Sequence, residues 1–321
     1  MKQFAMIGAA GYVAPRHMMA ILDTGNNLVA AVDKFDSVGI IDRNFPNSAF
    51  FTEFERFDRH LDKMKRNGQN TDYISICSPN YLHDSHIRFG LRIGADVICE
   101  KPLVLNPWNA DALMELEQEQ IQKVHCILQL RLHEQVQALK KKVDKLLEGE
   151  KHEVDLTYIT SRGNWYYTSW KGDESKSGGI ATNIGVHFFD MLLWLYGDVK
   201  ENIVNVYTHD RAAGILKMEK ANVKWFLSIN DETLPEEIKS SGQRVFRSLT
   251  LGDESFDFSK GFDDLHTKSY AHILDGKGYG IKDTRKAIDL VYKIRTLEVQ
   301  APSEESHRFA SLPLSKHPFK R

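Results

Sequence analysis

The stretch Gly8-Ala9-Ala10-Gly11-Tyr12-Val13-Ala14 constrains the fold more than any other, because it joins an apolar run to an amphipathic one. Gln3 to Ile7 reads as a strand ending at Gly8, and Ala14 opens a helical pattern that closes near Asp23-Thr24-Gly25. A second apolar run, Leu28 to Val32, ends at Asp33, about twenty residues beyond the glycines. Strand, glycine turn, helix, strand and terminal acid make a complete βαβ unit. Gly11 lets the backbone approach a pyrophosphate, small Ala14 lets the helix pack on the strand, and the helix start offers N–H groups to an anion. The spacing departs from G-x-G-x-x-G, with Ala10 where the second glycine would fall and one extra residue. A match of this kind alone is equally a plain tight turn; the flanking elements and Asp33 favour a dinucleotide held along Gly8, Ala10, Gly11, Tyr12 and Val13. Asp33 would accept from the ribose hydroxyls and repel a 2′-phosphate, so NAD is the expected cofactor, a preference tempered by the adjacent Lys34.

Further strands are expected at Tyr73 to Cys77, Val97 to Cys99 and Val124 to Leu128, with helices at Tyr81 to Gly94 and Pro107 to Glu119. After about Leu130 the rhythm changes. A lysine-rich helical segment, Glu134 to Glu148, precedes alternating runs at Val154 to Thr160, Ile203 to Thr208, Val223 to Ile229 and Val245 to Leu251, which read as antiparallel strands with hairpin turns. An apolar helix at Gly185 to Leu195 interrupts them, and helices at Leu265 to Leu274 and Thr284 to Val299 follow. The fold class is therefore α/β: an N-terminal Rossmann dinucleotide-binding domain over residues 1–128, and a C-terminal α+β domain with a mostly antiparallel open sheet over 129–321. One face of that sheet is covered by helices and the other needs cover, which makes self-association through it plausible. The proline-containing tail from Pro302 to Arg321 is expected to run over the surface or a neighbouring subunit.

Four places carry chemistry. Ala95 to Cys99 is a short bounded apolar run, stopped by Glu100-Lys101-Pro102 at a strand end, where open α/β sheets place their ligands. A lysine there is either a solvated loop charge or a catalytic amine whose pKa is lowered by burial and neighbouring charge, and position alone leaves the two even. The polar groups of Ser78, Asn80 and His83 follow the strand ending at Cys77 and fall on the cofactor edge, although Ser78 and Asn80 are also good helix caps. His83 and His86 read as residues of a helix face, and no metal is expected. In Gly178 to Asp190, Asn183 and His187 stand four apart, so a helix starting here presents both on one face. A histidine in so apolar a helix is usually a satisfied core residue; the two glycines and Asn183 mark a helix start that could open on a cleft, where an imidazole would take a hydroxyl proton as hydride leaves. Ahead of it, Ser161 to Lys171 is a loop of four aromatic rings and two cations. Its rings form an interface, or Trp165 and Tyr166 stack on a sugar or uracil while Arg162, Lys171, Lys176 or Arg131 pairs with carboxylate or phosphate.

With 42 basic and 44 acidic residues the net charge is −2, which leaves no basic field for nucleic acid and points to a small-molecule ligand. Cys77, Cys99 and Cys126 lie in apolar runs without metal spacing, as expected in a reducing compartment. The run after Met1-Lys2 breaks at Gly8, so it reads as a first strand rather than a signal peptide, and no stretch approaches the roughly 20 apolar residues that span a bilayer. The expected location is the cytoplasm, away from membranes.

Glu100-Lys101-Pro102 and the Gly178 to His187 block, with the glycine turn, resemble the motifs of the glucose-fructose oxidoreductase/inositol dehydrogenase/rhizopine catabolism family over nearly the whole chain. Gly8 to His17, Ser75 to His83 and Trp170 to His187 are similar to its branch of bacterial dehydrogenases acting on UDP-N-acetyl-2-amino-2-deoxyglucuronate. The resemblance implies oxidation of a sugar C3 hydroxyl by NAD, on a route to uronates of lipopolysaccharide O-antigen, with a UDP-linked N-acetylhexosaminuronate as partner. It implies Lys101 beside the nicotinamide and the reacting hydroxyl, with His187 close by, and Glu100 paired with a nearby donor at the cofactor edge. Many members have aspartate where this chain has Asn183; asparagine takes no proton, so Lys101 or His187 is the base and Asn183 orients. A cis Lys101-Pro102 bond and a homotetramer packed through the second-domain sheet are further implications. The alternatives are a family enzyme acting on a free sugar or cyclitol, and a dinucleotide-binding sensor without turnover.

Overall fold

The computed structural model describes residues 1–252, 254–256 and 264–319. Met1–Gln129 and Asp263–Arg285 form one compact unit, and Leu130–Phe262 and Lys286–Arg321 a second.

In the first unit, among the described residues, six parallel strands pair into one sheet: β1 (Gln3–Ile7), β2 (Asn27–Val32), β3 (Ala49–Phe51), β4 (Tyr73–Ile76), β5 (Asp96–Cys99) and β6 (Val124–Cys126), in the order β3-β2-β1-β4-β5-β6. Phe4, Ala5, Met6, Ile74, Ile76, Val97 and Ile98 are fully buried, as a parallel sheet covered on both faces requires. The order reverses between β1 and β4, the switch point at which doubly wound sheets bind ligands. Ile7 pairs with Ile76 and Ile76 with Cys99, so Gly8, Cys77 and Glu100 leave the sheet along one edge. Gly8 has φ +87°, and a Cβ there would lie 2.5 Å from Ser78 N. A Cβ on Gly11 would lie 3.1 Å from Cys77 O. Gly8 is thus demanded by the approach of the turn to the end of β4, and a side chain at Gly11 would be tight against the same strand end, a cause that the pyrophosphate argument alone does not contain.

A two-domain division at residue 128 puts Leu265–Leu274 in the second domain, and here the structure corrects the expectation. That helix belongs to the first unit: Tyr270, fully buried, stacks on Phe4 with ring centroids 5.8 Å apart, and Ile273 joins Met18 and Ile21 in one core. Its apolar face suits either sheet, and chain position does not say which one it covers.

The second unit has β7 (His152–Thr160), β8 (Val199–Tyr207), β9 (Arg211–Met218), β10 (Ala221–Ser228), β11 (Val245–Leu251) and β12 (Glu254–Phe256), in the order β12-β11-β7-β10-β9-β8. Among the described residues its strand pairs are antiparallel except one: β10 runs parallel to β7, from Ala221 beside His152 to Ser228 beside Ile159. The sheet is therefore mostly antiparallel but mixed, which hairpins alone do not produce. Ile180, Phe189 and Leu192 pack against Leu156, Val223 and Trp225 on one face. On the other face, Ile159, Val206, Ala213 and Phe226 meet Phe309, Ala310 and Leu312 of the chain's own tail. The tail is pinned there: the buried Arg211 donates to Pro313 O at 2.9 Å and to Ser315 Oγ at 2.8 Å, and the His307 ring stacks on Phe226. Deleting residues 302–321 should uncover this face and lower stability by about 3 kcal/mol or more, the worth of one or two buried apolar side chains. A denaturation midpoint matching the full chain would contradict that role.

Candidate active site

The helix Ala14–Asp23 starts straight after the glycine turn, with Pro15 in its first turn, no acid there and no side chain capping it. Such a start suits an anion, because exposed N–H groups and the helix dipole both favour negative charge. At the end of β2 the Asp33 carboxylate is held in place: Oδ2 accepts from Ala10 N at 3.0 Å and Oδ1 from Phe35 N at 3.0 Å. The Ala10 amide is therefore spent on Asp33 rather than on a phosphate, whereas each Asp33 oxygen keeps a lone pair for a ribose hydroxyl. Tyr12 is largely exposed, Val13 is the N-cap residue, and Lys34 lies over the Phe35 ring. These residues fit NAD.

At the end of β4, Ser78 Oγ lies 2.8 Å from His86 Nδ1, whose ring stacks on Phe54; burial lowers the His86 pKa to about 4. A 3-10 turn, Asn80–Leu82, precedes the helix His83–Ile93, and neither Ser78 nor Asn80 caps it. His83 was expected on the cofactor edge and is corrected by its surroundings. It is fully buried, with Nδ1 2.8 Å from Pro102 O and Nε2 2.9 Å from Ser78 O, and burial pushes its pKa down. It ties the two edge loops together and exposes no surface of its own.

Glu100 also differs from its expected place. The carboxylate is buried, and Oε1 lies 2.9 Å from His17 Nε2 and 3.0 Å from His266 Nε2, while Oε2 accepts from Lys101 N at 3.1 Å. It pairs with nearby donors, as the resemblance implies, and both of its oxygens are engaged by them. Burial alone would raise its pKa; the two imidazoles outweigh that and hold it well below the usual carboxylate range. Lys101 itself is half-buried, and its bond to Pro102 is cis.

In the second unit, Asn183 ends one short helix, Gly179–Asn183, and His187 is the second residue of another, Val186–Tyr196. They do not share one continuous helix face as expected, because Ile184 and Gly185 separate the two. Asn183 Nδ2 donates to Tyr166 Oη at 2.8 Å. That bond and full burial take Tyr166 out of the role of a stacking ring, and burial raises its pKa to about 12. Arg131 is corrected as well: its Nε and Nη2 donate to Asp190 Oδ2 at 2.9 Å and Oδ1 at 2.7 Å, a buried bidentate pair. Trp165 is half-exposed and Arg162 exposed, and the Lys171 ammonium sits 5.5 Å from the Trp165 ring centre and 5.4 Å from that of Trp170. Lys176 pairs with Asp173 at 3.2 Å. The residues that the sequence reading missed are His17, His266 and Tyr270, buried partners of the strand end from distant parts of the chain.

A doubly wound sheet with a glycine turn, an acid at the end of β2 and a second α/β unit is the build of an NAD-binding oxidoreductase. Residues 2–128 match the oxidoreductase family's NAD-binding Rossmann fold and residues 149–228 its C-terminal alpha/beta domain. The chain belongs to the glucose-fructose oxidoreductase/inositol dehydrogenase/rhizopine catabolism family, and its cofactor is NAD. It is 45% identical to the WlbA (WbpB) dehydrogenase of Thermus thermophilus over 96% of this chain and 100% of that one, with a TM-score of 0.93. That enzyme has been solved with NAD and alpha-ketoglutarate and with NAD and UDP-GlcNAcA. The chain is 26% identical to inositol 2-dehydrogenase of Rhizobium meliloti over 61% of its length and 25% identical to D-glucoside 3-dehydrogenase of Escherichia coli over 44%. It spans 55% and 40% of those two relatives, about half their length. No helix among the described residues is long and apolar enough to cross a membrane.

Proposed function

We propose that this protein oxidises the C3 hydroxyl of UDP-GlcNAcA, or a close UDP-linked N-acetylhexosaminuronate, to the ketone with NAD. The observation that supports this most is the 45% identity, end to end, with an enzyme solved with NAD and UDP-GlcNAcA. The cofactor, when bound, accepts the hydride from C3. The turn from Gly8 to Val13, with Asp33, Lys34, Ser78 and Asn80, would hold it, and Lys101 or His187 takes the hydroxyl proton. Asn183, fixed by Tyr166, orients the sugar. Arg162 and Lys171 are the cations for pyrophosphate or carboxylate, and Trp165 offers a ring face. The product fits a route to O-antigen uronates in the cytoplasm, and a homo-oligomer, a tetramer, is the assembly we expect.

Incubation with NAD and UDP-GlcNAcA, followed by NADH absorbance and mass analysis of the sugar, tests the reading; myo-inositol and free hexoses serve as competitors. Two mass units lost from the UDP-sugar alone is the expected result, and turnover confined to the cyclitol or hexoses rejects it. Because the same neighbour is solved with alpha-ketoglutarate, a 2-oxo acid should reoxidise the bound cofactor. With alpha-ketoglutarate present, keto sugar should then accumulate beyond the enzyme's own NAD. Asp33 makes a separate expectation: kcat/KM with NAD should exceed that with NADP by about tenfold or more, through repulsion of the 2′-phosphate. Equal values would refute the assignment of Asp33.

A further inference from the structure

Behind the strand end that bears Lys101 lies a buried cluster that no step above uses. His17, Ser75 and Tyr270 are fully buried, and His266 and Glu100 are nearly so. His17 comes from the helix that follows the glycine turn, Ser75 from β4, Glu100 from the end of β5, and His266 and Tyr270 from the helix Leu265–Leu274. Their contacts form one chain: Ser75 Oγ is 2.6 Å from Tyr270 Oη, Tyr270 Oη is 2.8 Å from His17 Nδ1, and His17 Nε2 is 2.9 Å from Glu100 Oε1. His266 Nε2 reaches the same oxygen.

Donor and acceptor rules fix the direction of this chain. An ionised carboxylate only accepts, so both Nε2 atoms carry protons. Burial keeps His17 neutral, which leaves its Nδ1 to accept from the Tyr270 hydroxyl, and the Tyr270 oxygen in turn accepts from Ser75. The protons along Ser75, Tyr270, His17 and Glu100 are then placed. The carboxylate so held gives its other oxygen to the Lys101 amide.

We infer that His17 and His266 are positioning residues for the reaction: by donating to one oxygen of Glu100 they fix the carboxylate that holds the Lys101 backbone. His17 thereby links the helix whose start would bind the cofactor to the strand end that carries the lysine. The inference rests on the proposed role of Lys101. Misplacing a reacting group by about 1 Å costs on the order of a hundredfold in rate, so a support of this kind acts on kcat. His17, Glu100 and His266 also bring three ligand-type atoms within 4.8 Å of one another, as a metal site would. Their contacts at 2.9 and 3.0 Å to one shared oxygen are those of N–H donors.

The test uses His17→Leu, His266→Leu and the donor-retaining His17→Gln and His266→Gln, each assayed with NAD and UDP-GlcNAcA, with NAD affinity measured separately. Either leucine variant should lose about 10- to 100-fold in kcat, with KM and the Kd for NAD changed less than about threefold. The glutamine variants, whose side-chain N–H replaces the imidazole donor, should recover most of that loss. In a Lys101→Met background the leucine substitutions should cost nothing further. Equal losses for leucine and glutamine, additive losses with Lys101→Met, or zinc bound stoichiometrically in the wild type and absent from the variants would each overturn the inference. If a leucine variant does not fold, near-normal kcat in its glutamine counterpart supports the inference and a full loss there defeats it. Wild-type turnover in Lys101→Met defeats the reading of Lys101 and this inference together. Loss in Lys101→Met with none in the leucine variants defeats the inference alone.

Discussion

Lys101→Met should lower kcat by about 10²- to 10⁴-fold, the range over which a positioned base accelerates proton transfer, and leave the Kd for NAD within about threefold. Methionine keeps an unbranched stem as far as Cε, with sulfur in place of Cδ, and removes the amine. The groups that fit the cofactor lie elsewhere, at the glycine turn and at Asp33, whose carboxylate is anchored by Ala10 and Phe35 amides. Glu100 accepts the Lys101 backbone N–H, which the substitution retains, so the strand end should keep its form. Steady-state kinetics with the UDP-sugar and direct NAD titration separate the two effects. If the variant turns over like the wild type, the proton passes to His187, and His187→Asn should then show the loss instead.

Arg131→Met should destabilise the second unit by about 3–5 kcal/mol, because it leaves Asp190 ionised, buried and without its bidentate partner. That corresponds to a fall in Tm of roughly 10 °C in a unit of this size. Replacing both residues with apolar ones of similar volume, as in Arg131→Met with Asp190→Leu, should restore much of the loss, since no charge is then stranded. Thermal unfolding of the two variants side by side decides the matter. A single variant as stable as the wild type would show that water or a neighbouring group satisfies Asp190. The result also bears on the proposed role of His187, because Asp190 follows it by three residues in the same helix.

The first unit was legible in the sequence because its signals are local. An apolar run, a glycine turn and an acid lie within one short segment, and β1 falls on the expected residues from Gln3 to Ile7. Val245–Leu251 and Leu265–Leu274 likewise keep their expected bounds, each bracketed by turn-forming residues. Short β3 and alanine-rich β9 escaped notice, since neither has the length or the alternation that marks a strand by itself. The partners of polar side chains were harder still. Arg131 reads as an available cation until its pair, Asp190, is seen, and the ring of Tyr166 reads as a stacking surface until the core closes over it. The His17–Glu100–His266 cluster brings together residues 83 and 166 positions apart, and no spacing rule reaches so far.

The first unit recovers a helix only after the chain has passed through most of the second. During synthesis Phe4, Met18 and Ile21 must wait for Tyr270 and Ile273, which emerge on the order of ten seconds after β6 at typical translation rates. Until then the nascent sheet has an apolar flank open to the ribosome exit and to chaperones. Fragments that end before this helix should therefore be short-lived, even though the glycine turn and its acid are already present in them.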